Sequence, residues 1–106
     1  FTAGSPGGNT IINTTMQLIL NVIDHEMNIA ESVEAGRIHN QWLPDVTSIE
    51  DRAISADSLL MYEGLGHPVR VRGAQGAAMA VYHDREAGLF LGASDSRRGD
   101  GAAVGY

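Results

Sequence analysis

The stretch Gly4-Ser5-Pro6-Gly7-Gly8 is where residue type and spacing speak most directly of chemistry. Glycine lets the backbone bring successive N–H groups close to a ligand. The helical periodicity that starts just beyond it adds the partial positive charge of a helix N-terminus. Such a turn can hold an anion, or the oxyanion of an acyl-transfer intermediate. The same residues equally suit a tight turn with a helix cap and no ligand. A phosphate loop is excluded, because Gly-Lys-Ser/Thr is missing. Ser5 is a poor nucleophile on pattern. The elbow Gly-x-Ser-x-Gly needs glycine where Ala3 stands, and Pro6 removes the N–H that would follow the nucleophile.

Other constellations carry less. His25-Glu26 resembles the start of a zinc helix, but the second histidine would fall at Ile29. The four histidines share no ligand spacing, so solvated or locally bonded imidazoles are expected, with no metal and no cofactor. Asn13-Thr14-Thr15 matches a glycosylation sequon but lies inside an expected helix and is read as chance. Arg97-Arg98 beside Asp95 and Asp100 reads as a surface ion-pair cluster, and Trp42 as a core anchor.

These residues must be positioned by one domain at most, since the chain has 106 residues. With no cysteine, a disulfide framework, a thiolate metal site and a cysteine nucleophile are excluded. All seven basic residues are arginines against thirteen acidic ones, a net charge of -6, so nucleic acid is not an expected partner. No apolar run approaches ~18 residues, so no membrane span is expected. The first residue is Phe, with no charged region before an apolar stretch, so the start reads as a cut inside a longer chain.

Asn9 or Thr10 can cap a helix over roughly residues 10–25. Its apolar stripe, Ile12, Met16, Ile19, Leu20, Ile23 and Met27, is expected to pack on a sheet, with Asn13, Gln17, Asn21 and Asp24 on another stripe. Asn28, with Glu31 at the capping-box position, opens a short helix from Ile29 to Glu34, ended by Gly36. Residues 37–54 read as irregular apart from a short strand at Val46 to Ile49. Ser55 caps a helix of about ten residues ending near Gly64 or Gly66, with Leu59, Leu60 and Tyr62 inward at best. The remainder reads as strands: Val69 and Val71 half-exposed, Ala77 to Tyr82 buried on both faces, a loop from His83 to Gly88, and Leu89 to Ala93. Helices followed by strands imply an α+β fold, and with about three strands for two helices one hydrophobic sheet face is expected to await a partner absent from this chain.

Several separated motifs together resemble the γ-glutamyltranspeptidase family. They are Gly4-Ser5-Pro6-Gly7-Gly8, Asn21-Val22-Ile23-Asp24 and Met27-Asn28-Ile29-Ala30-Glu31, then Gly66-His67-Pro68-Val69 and the ending from Gly92-Ala93-Ser94-Asp95 to Gly105-Tyr106. Arg37-Ile38-His39-Asn40-Gln41-Trp42-Leu43-Pro44-Asp45 is similar to the family's Arg-x-His-His-Gln-Trp-Leu-Pro-Asp. The departures are Gly36 for Pro, Asn40 for the second His, Glu26 for Gly and Ser96 for Pro.

The resemblance implies a portion of an N-terminal-nucleophile hydrolase: an αββα sandwich matured by autocatalytic cleavage into two subunits. It implies transfer or hydrolysis of the γ-glutamyl group of glutathione and related amides through an acyl-threonine. The oxyanion donors would be Gly7 and Gly8, with Ser5 and Pro6 beside the substrate. The threonine nucleophile lies upstream of the matching region, so the chain should be silent alone. Its partners would be the remainder of the small subunit, ending at Tyr106, and the large subunit, with self-association as a further expectation. A periplasmic or secreted location is implied by resemblance alone. Two other readings stay open: a cephalosporin acylase of the same family, and a non-catalytic docking module in which the glycine turn is only a cap.

Overall fold

The computed structural model describes residues 1–105; Tyr106, the expected subunit end, lies outside the described residues. The elements run β1 (Thr2–Gly4), a 3-10 turn (Gly8–Thr10), α1 (Ile11–Ile23), α2 (Ile29–Glu34), β2 (Ile38–His39), β3 (Thr47–Glu50), α3 (Ala56–Gly64), β4 (Val69–Arg72), β5 (Met79–Asp84) and β6 (Leu89–Ser94). The fold is α+β. One antiparallel sheet has the order β1-β5-β6, and a second has β2-β3-β4 with β3 and β4 parallel. α3 is the crossover that a parallel pair requires.

Local chemistry sets the element ends. The Asn28 side chain accepts from the Glu31 amide at 3.0 Å, and the Glu31 carboxylate accepts from the Asn28 amide at 3.0 Å. This reciprocal cap starts α2 where the sequence places it. Ser55 caps α3 by accepting from the Ser58 amide. The β5–β6 turn is held by Asp84 Oδ1, which accepts from the Glu86 and Ala87 amides.

Helices α1 and α2 cover one face of the β1-β5-β6 sheet. Leu18 and Val33 meet Ala78 and Ala80 there, with Ala3 and Ala93 alongside. The small alanines let the helices approach closely, and the Ser32 hydroxyl donates to Leu18 O across the helix pair. The opposite face of the sheet carries Met79 and Val81, 53% and 47% exposed. The central strand is therefore covered on one face, not both, and begins two residues later than expected. The reason is strand alternation: Ala78 and Ala80 point to the helices, so Met79 and Val81 must point away.

Helix α1 shows a second reversal. Its apolar stripe faces outward, with Ile12 78% and Ile23 66% exposed. The polar stripe docks instead. Gln17 Nε2 donates to Ile38 O at 2.8 Å and Gln17 Oε1 accepts from the Ile38 amide at 3.0 Å, while Asn13 donates to Asn40 O. These bonds satisfy the edge of β2, a strand the sequence did not reveal. Helix α3 buries none of its residues, so Leu59, Leu60 and Tyr62 are not core. Trp42, 78% exposed, is not a core anchor: the segment around it runs over the surface, and its amide is held by the Asn40 side chain.

Candidate functional site

Strand β1 delivers the glycine turn from the sheet edge into α1. The Ser5 hydroxyl donates to Pro6 O at 2.8 Å and accepts from the Ala77 amide at 3.0 Å. Its proton is thus committed to a carbonyl rather than to a general base, so Ser5 lacks the geometry of an activated nucleophile. Gly7 adopts φ 146° and Gly8 φ 60°. A Cβ on Gly7 would lie 2.4 Å from Thr10 Oγ1, so this position requires glycine. Thr10 holds the Gly7 carbonyl with its amide at 3.2 Å and its hydroxyl at 3.0 Å.

The amides of Gly7 and Gly8 donate to no acceptor among the described residues, and both glycines are exposed. Two adjacent open N–H donors stand at the start of the 3-10 turn that leads into α1, an arrangement chemically able to receive a negatively charged oxygen. Pro6 and Ser5 line a neighbouring cavity of about 370 Å³, with Ala77, Met79, Ser94 and Arg98 among its other walls. The four residues singled out in the sequence therefore sit in one turn.

Behind the turn lies a buried ionic network that the sequence did not reveal. Arg37 pairs with Asp95 at 2.7 Å, and Arg97 pairs with Glu50 at 2.6 Å and with Asp95 at 3.1 Å. Arg97 was expected in a surface cluster; it reaches inward and also donates to the carbonyls of Val33, Glu34 and Ala35 at the end of α2. Burial pushes the Glu50 carboxyl up, but hydrogen bonds from the Arg97 guanidinium and from the Gln75 and Arg37 amides hold it below its ordinary value. Burial likewise raises Asp95, and the Arg97 and Ala78 amides with both guanidinium groups bring it below the usual range. Burial lowers Arg97, yet its two carboxylate partners leave it more firmly protonated than usual. The one local signal of this network is a charge following each short apolar or small-residue run: Glu50 after Ile49, and Asp95 after Ser94.

Elsewhere three of the four histidines are locally engaged, and His25 is exposed. His39 is buried against Gln41 at 3.0 Å, while His67 stacks on Tyr62 and His83 on Phe90. Among the described residues, no group of three or more His, Asp or Glu is placed to hold a metal ion. No helix among them is long and apolar enough to cross a membrane.

The profile of the family described as Gamma-glutamyltranspeptidase matches residues 1–105. The chain is 40% identical over 103 residues to the glutathione hydrolase proenzyme of Escherichia coli (strain K12), covering 97% of this chain and 17% of that protein. It is 37% identical over 109 residues to the Bacillus subtilis (strain 168) glutathione hydrolase proenzyme, covering 98% of this chain and 17% of that one. Among solved structures, a variant of Helicobacter pylori γ-glutamyltranspeptidase superposes with a TM-score of 0.82 at 40% identity, covering 91% of this chain and 53% of that chain. The cephalosporin acylase of Bacillus halodurans shares the fold at TM-score 0.79 and 21% identity, over 90% of this chain and 18% of that one. The chain thus spans under a fifth of the length of these curated relatives. With its two sheets and covering helices forming a portion of the N-terminal-nucleophile hydrolase sandwich, this chain belongs to the γ-glutamyltranspeptidase family.

Proposed function

We propose that these residues are the C-terminal part of the small subunit of an enzyme that transfers or hydrolyses the γ-glutamyl group of glutathione and related amides. The observation that carries this reading is the pair of open amides at Gly7 and Gly8. In the proposed reaction a threonine outside this chain attacks the γ-carbonyl carbon, and its hydroxyl proton passes to its own amine. The carbonyl oxygen gains a full negative charge as the tetrahedral intermediate forms. Gly7 and Gly8 donate to that oxygen, and they do so more strongly there than to the neutral carbonyl. The leaving amine takes the proton and departs, leaving an acyl-threonine. Water or an amino-acid amine then repeats the sequence in reverse through the same oxyanion. Ser5 and Pro6, which line the adjacent cavity, form part of the substrate wall.

The remainder of the small subunit and the large subunit are the proposed partners. Their seats are the outward stripe of α1 and the open face around Met79, Val81 and Phe90. Apolar surface left this bare on so small a chain supports a partner better than a free-standing module.

The test is hydrolysis of γ-glutamyl-p-nitroanilide by the 106-residue chain alone and by the full protein that carries it. Release by the full protein only is the expected result. Release by the chain alone overturns the assignment of the nucleophile elsewhere. Silence of a folded full protein moves the reading to acylase or docking chemistry.

A further inference from the structure

The two open amides are each one end of a peptide plane whose other end is held by a side-chain hydroxyl. The Gly7 N–H shares its plane with the Pro6 carbonyl, and the Gly8 N–H shares its plane with the Gly7 carbonyl. Both peptides are trans, so in each the N–H points opposite to the C=O. The Ser5 hydroxyl donates to Pro6 O at 2.8 Å. The Thr10 hydroxyl donates to Gly7 O at 3.0 Å, with the Thr10 amide at 3.2 Å. Resting on the oxyanion reading above, we propose that Ser5 and Thr10 are positioning residues, one for each donor: each hydroxyl anchors the carbonyl and thereby aims the N–H on its far side.

Glycine makes such anchors necessary. With φ of 146° and 60°, Gly7 and Gly8 occupy backbone regions in which no side chain restricts rotation. Without a fixed carbonyl each plane can rock, and a donor that rocks loses the preorganisation on which oxyanion stabilisation depends. A hydrogen bond to the carbonyl also polarises the same amide and strengthens its N–H as a donor. The anchors are themselves secured. Thr10 is buried at 5% exposure. Ser5 accepts from the Ala77 amide in a strap, residues 75–78, tied down at both ends. Glu50 accepts from the Gln75 amide at 2.6 Å, and Asp95 accepts from the Ala78 amide at 2.7 Å. Between them Gly76 passes so close that a Cβ there would lie 2.5 Å from Ser5 Oγ. The buried network therefore reaches the turn through the strap and the Ser5 hydroxyl.

The experiment compares Thr10→Val, Thr10→Ser and Ser5→Ala in the full protein. Thr10→Val keeps the shape and removes the hydroxyl, whereas Thr10→Ser keeps the hydroxyl. Removing one oxyanion donor costs about 10²–10³ in kcat, so misaiming one is expected to cost about 10–100-fold. The expected result is that loss in kcat for Thr10→Val and Ser5→Ala, with KM within about twofold for Thr10→Val, a position that does not line the cavity, and Thr10→Ser close to the parent protein. Affinity for a tetrahedral γ-glutamyl boronate should fall with kcat, while affinity for glutamate holds. Unchanged kcat in both hydroxyl-free variants, or a change confined to KM, overturns the proposal. Should Ser5→Ala fail to fold, the Thr10 pair decides. Replacing the Gly7 or Gly8 amide by an ester separates this proposal from the one beneath it. If the esters are slow while the hydroxyl variants are not, the oxyanion reading stands and the positioning roles fall. If the esters are fast, the oxyanion reading falls and takes the positioning roles with it.

Discussion

The glycine turn and the ionic network behind it treat hydrogen bonding in opposite ways. In the network, every oxygen of Glu50 and Asp95 accepts at least one hydrogen bond, and both guanidinium groups are engaged. In the turn, two adjacent donors are left open beside carbonyls that each accept a side-chain hydroxyl. Saturation is what a buried structural cluster requires, because an unpaired buried charge is strongly destabilising. Openness is what a binding site requires, because a donor already paired has nothing to offer an anion. The two regions are joined by the strap at residues 75–78, so saturation on one side holds openness on the other.

Breaking the network should give the largest loss of stability. Arg37→Ala removes the shorter of the two guanidinium contacts to a nearly inaccessible Asp95 and the donors to Val33 O and Gln75 O, leaving Arg97 alone on that carboxylate. It should cost about 3–5 kcal/mol, measured by denaturant unfolding of the assembled protein. A loss below 1 kcal/mol would show that the network is dispensable.

Gly7→Ala attacks the other region. Its Cβ would collide with Thr10 Oγ1, and the turn would have to move. kcat should fall by about 10²–10³ while the buried network stays paired. Steady-state kinetics beside an unfolding curve would show whether activity and stability separate in this way.

Acid should sharpen the contrast. The folded-state pKa values of Glu50 and Asp95 are depressed, so their stabilisation is present above the unfolded carboxylate range and is lost as pH falls through the folded values. The midpoint of thermal unfolding should therefore drop below about pH 4. Asp95→Asn should start lower and decline less steeply. An unchanged slope in that variant would remove Asp95 from the account.

The smallest effect concerns the outward stripe of α1. Ile12→Ser should change the stability of the 106-residue chain by less than about 0.5 kcal/mol, because Ile12 is exposed there. In the assembled protein the same change should cost about 2 kcal/mol or more if a partner covers the stripe. Equal small effects in both settings would mean that the stripe stays bare.

What could be read from the sequence divides along the same line. The turn, the α2 capping box and the Ser55 cap are encoded within a few residues, and each was legible. The amphipathic period of α1 was legible too, but not which face would dock. That depended on Gln17 and Asn13 finding the main chain of residues 38–40, more than twenty positions away. Arg97 was misplaced for a related reason. Its partner Glu50 lies 47 residues earlier, and nothing local distinguishes a guanidinium that will be buried from one that will not. The central strand was expected to be covered on both faces because its residues are apolar throughout. Its second face stays open because the described residues include nothing to cover it.

The most direct test of the central claim is a crystal structure of the full protein with a tetrahedral γ-glutamyl boronate bound. The account predicts one boronate oxygen within about 2.7–3.1 Å of both Gly7 N and Gly8 N. A bound boronate whose oxygens all point to other donors would contradict it.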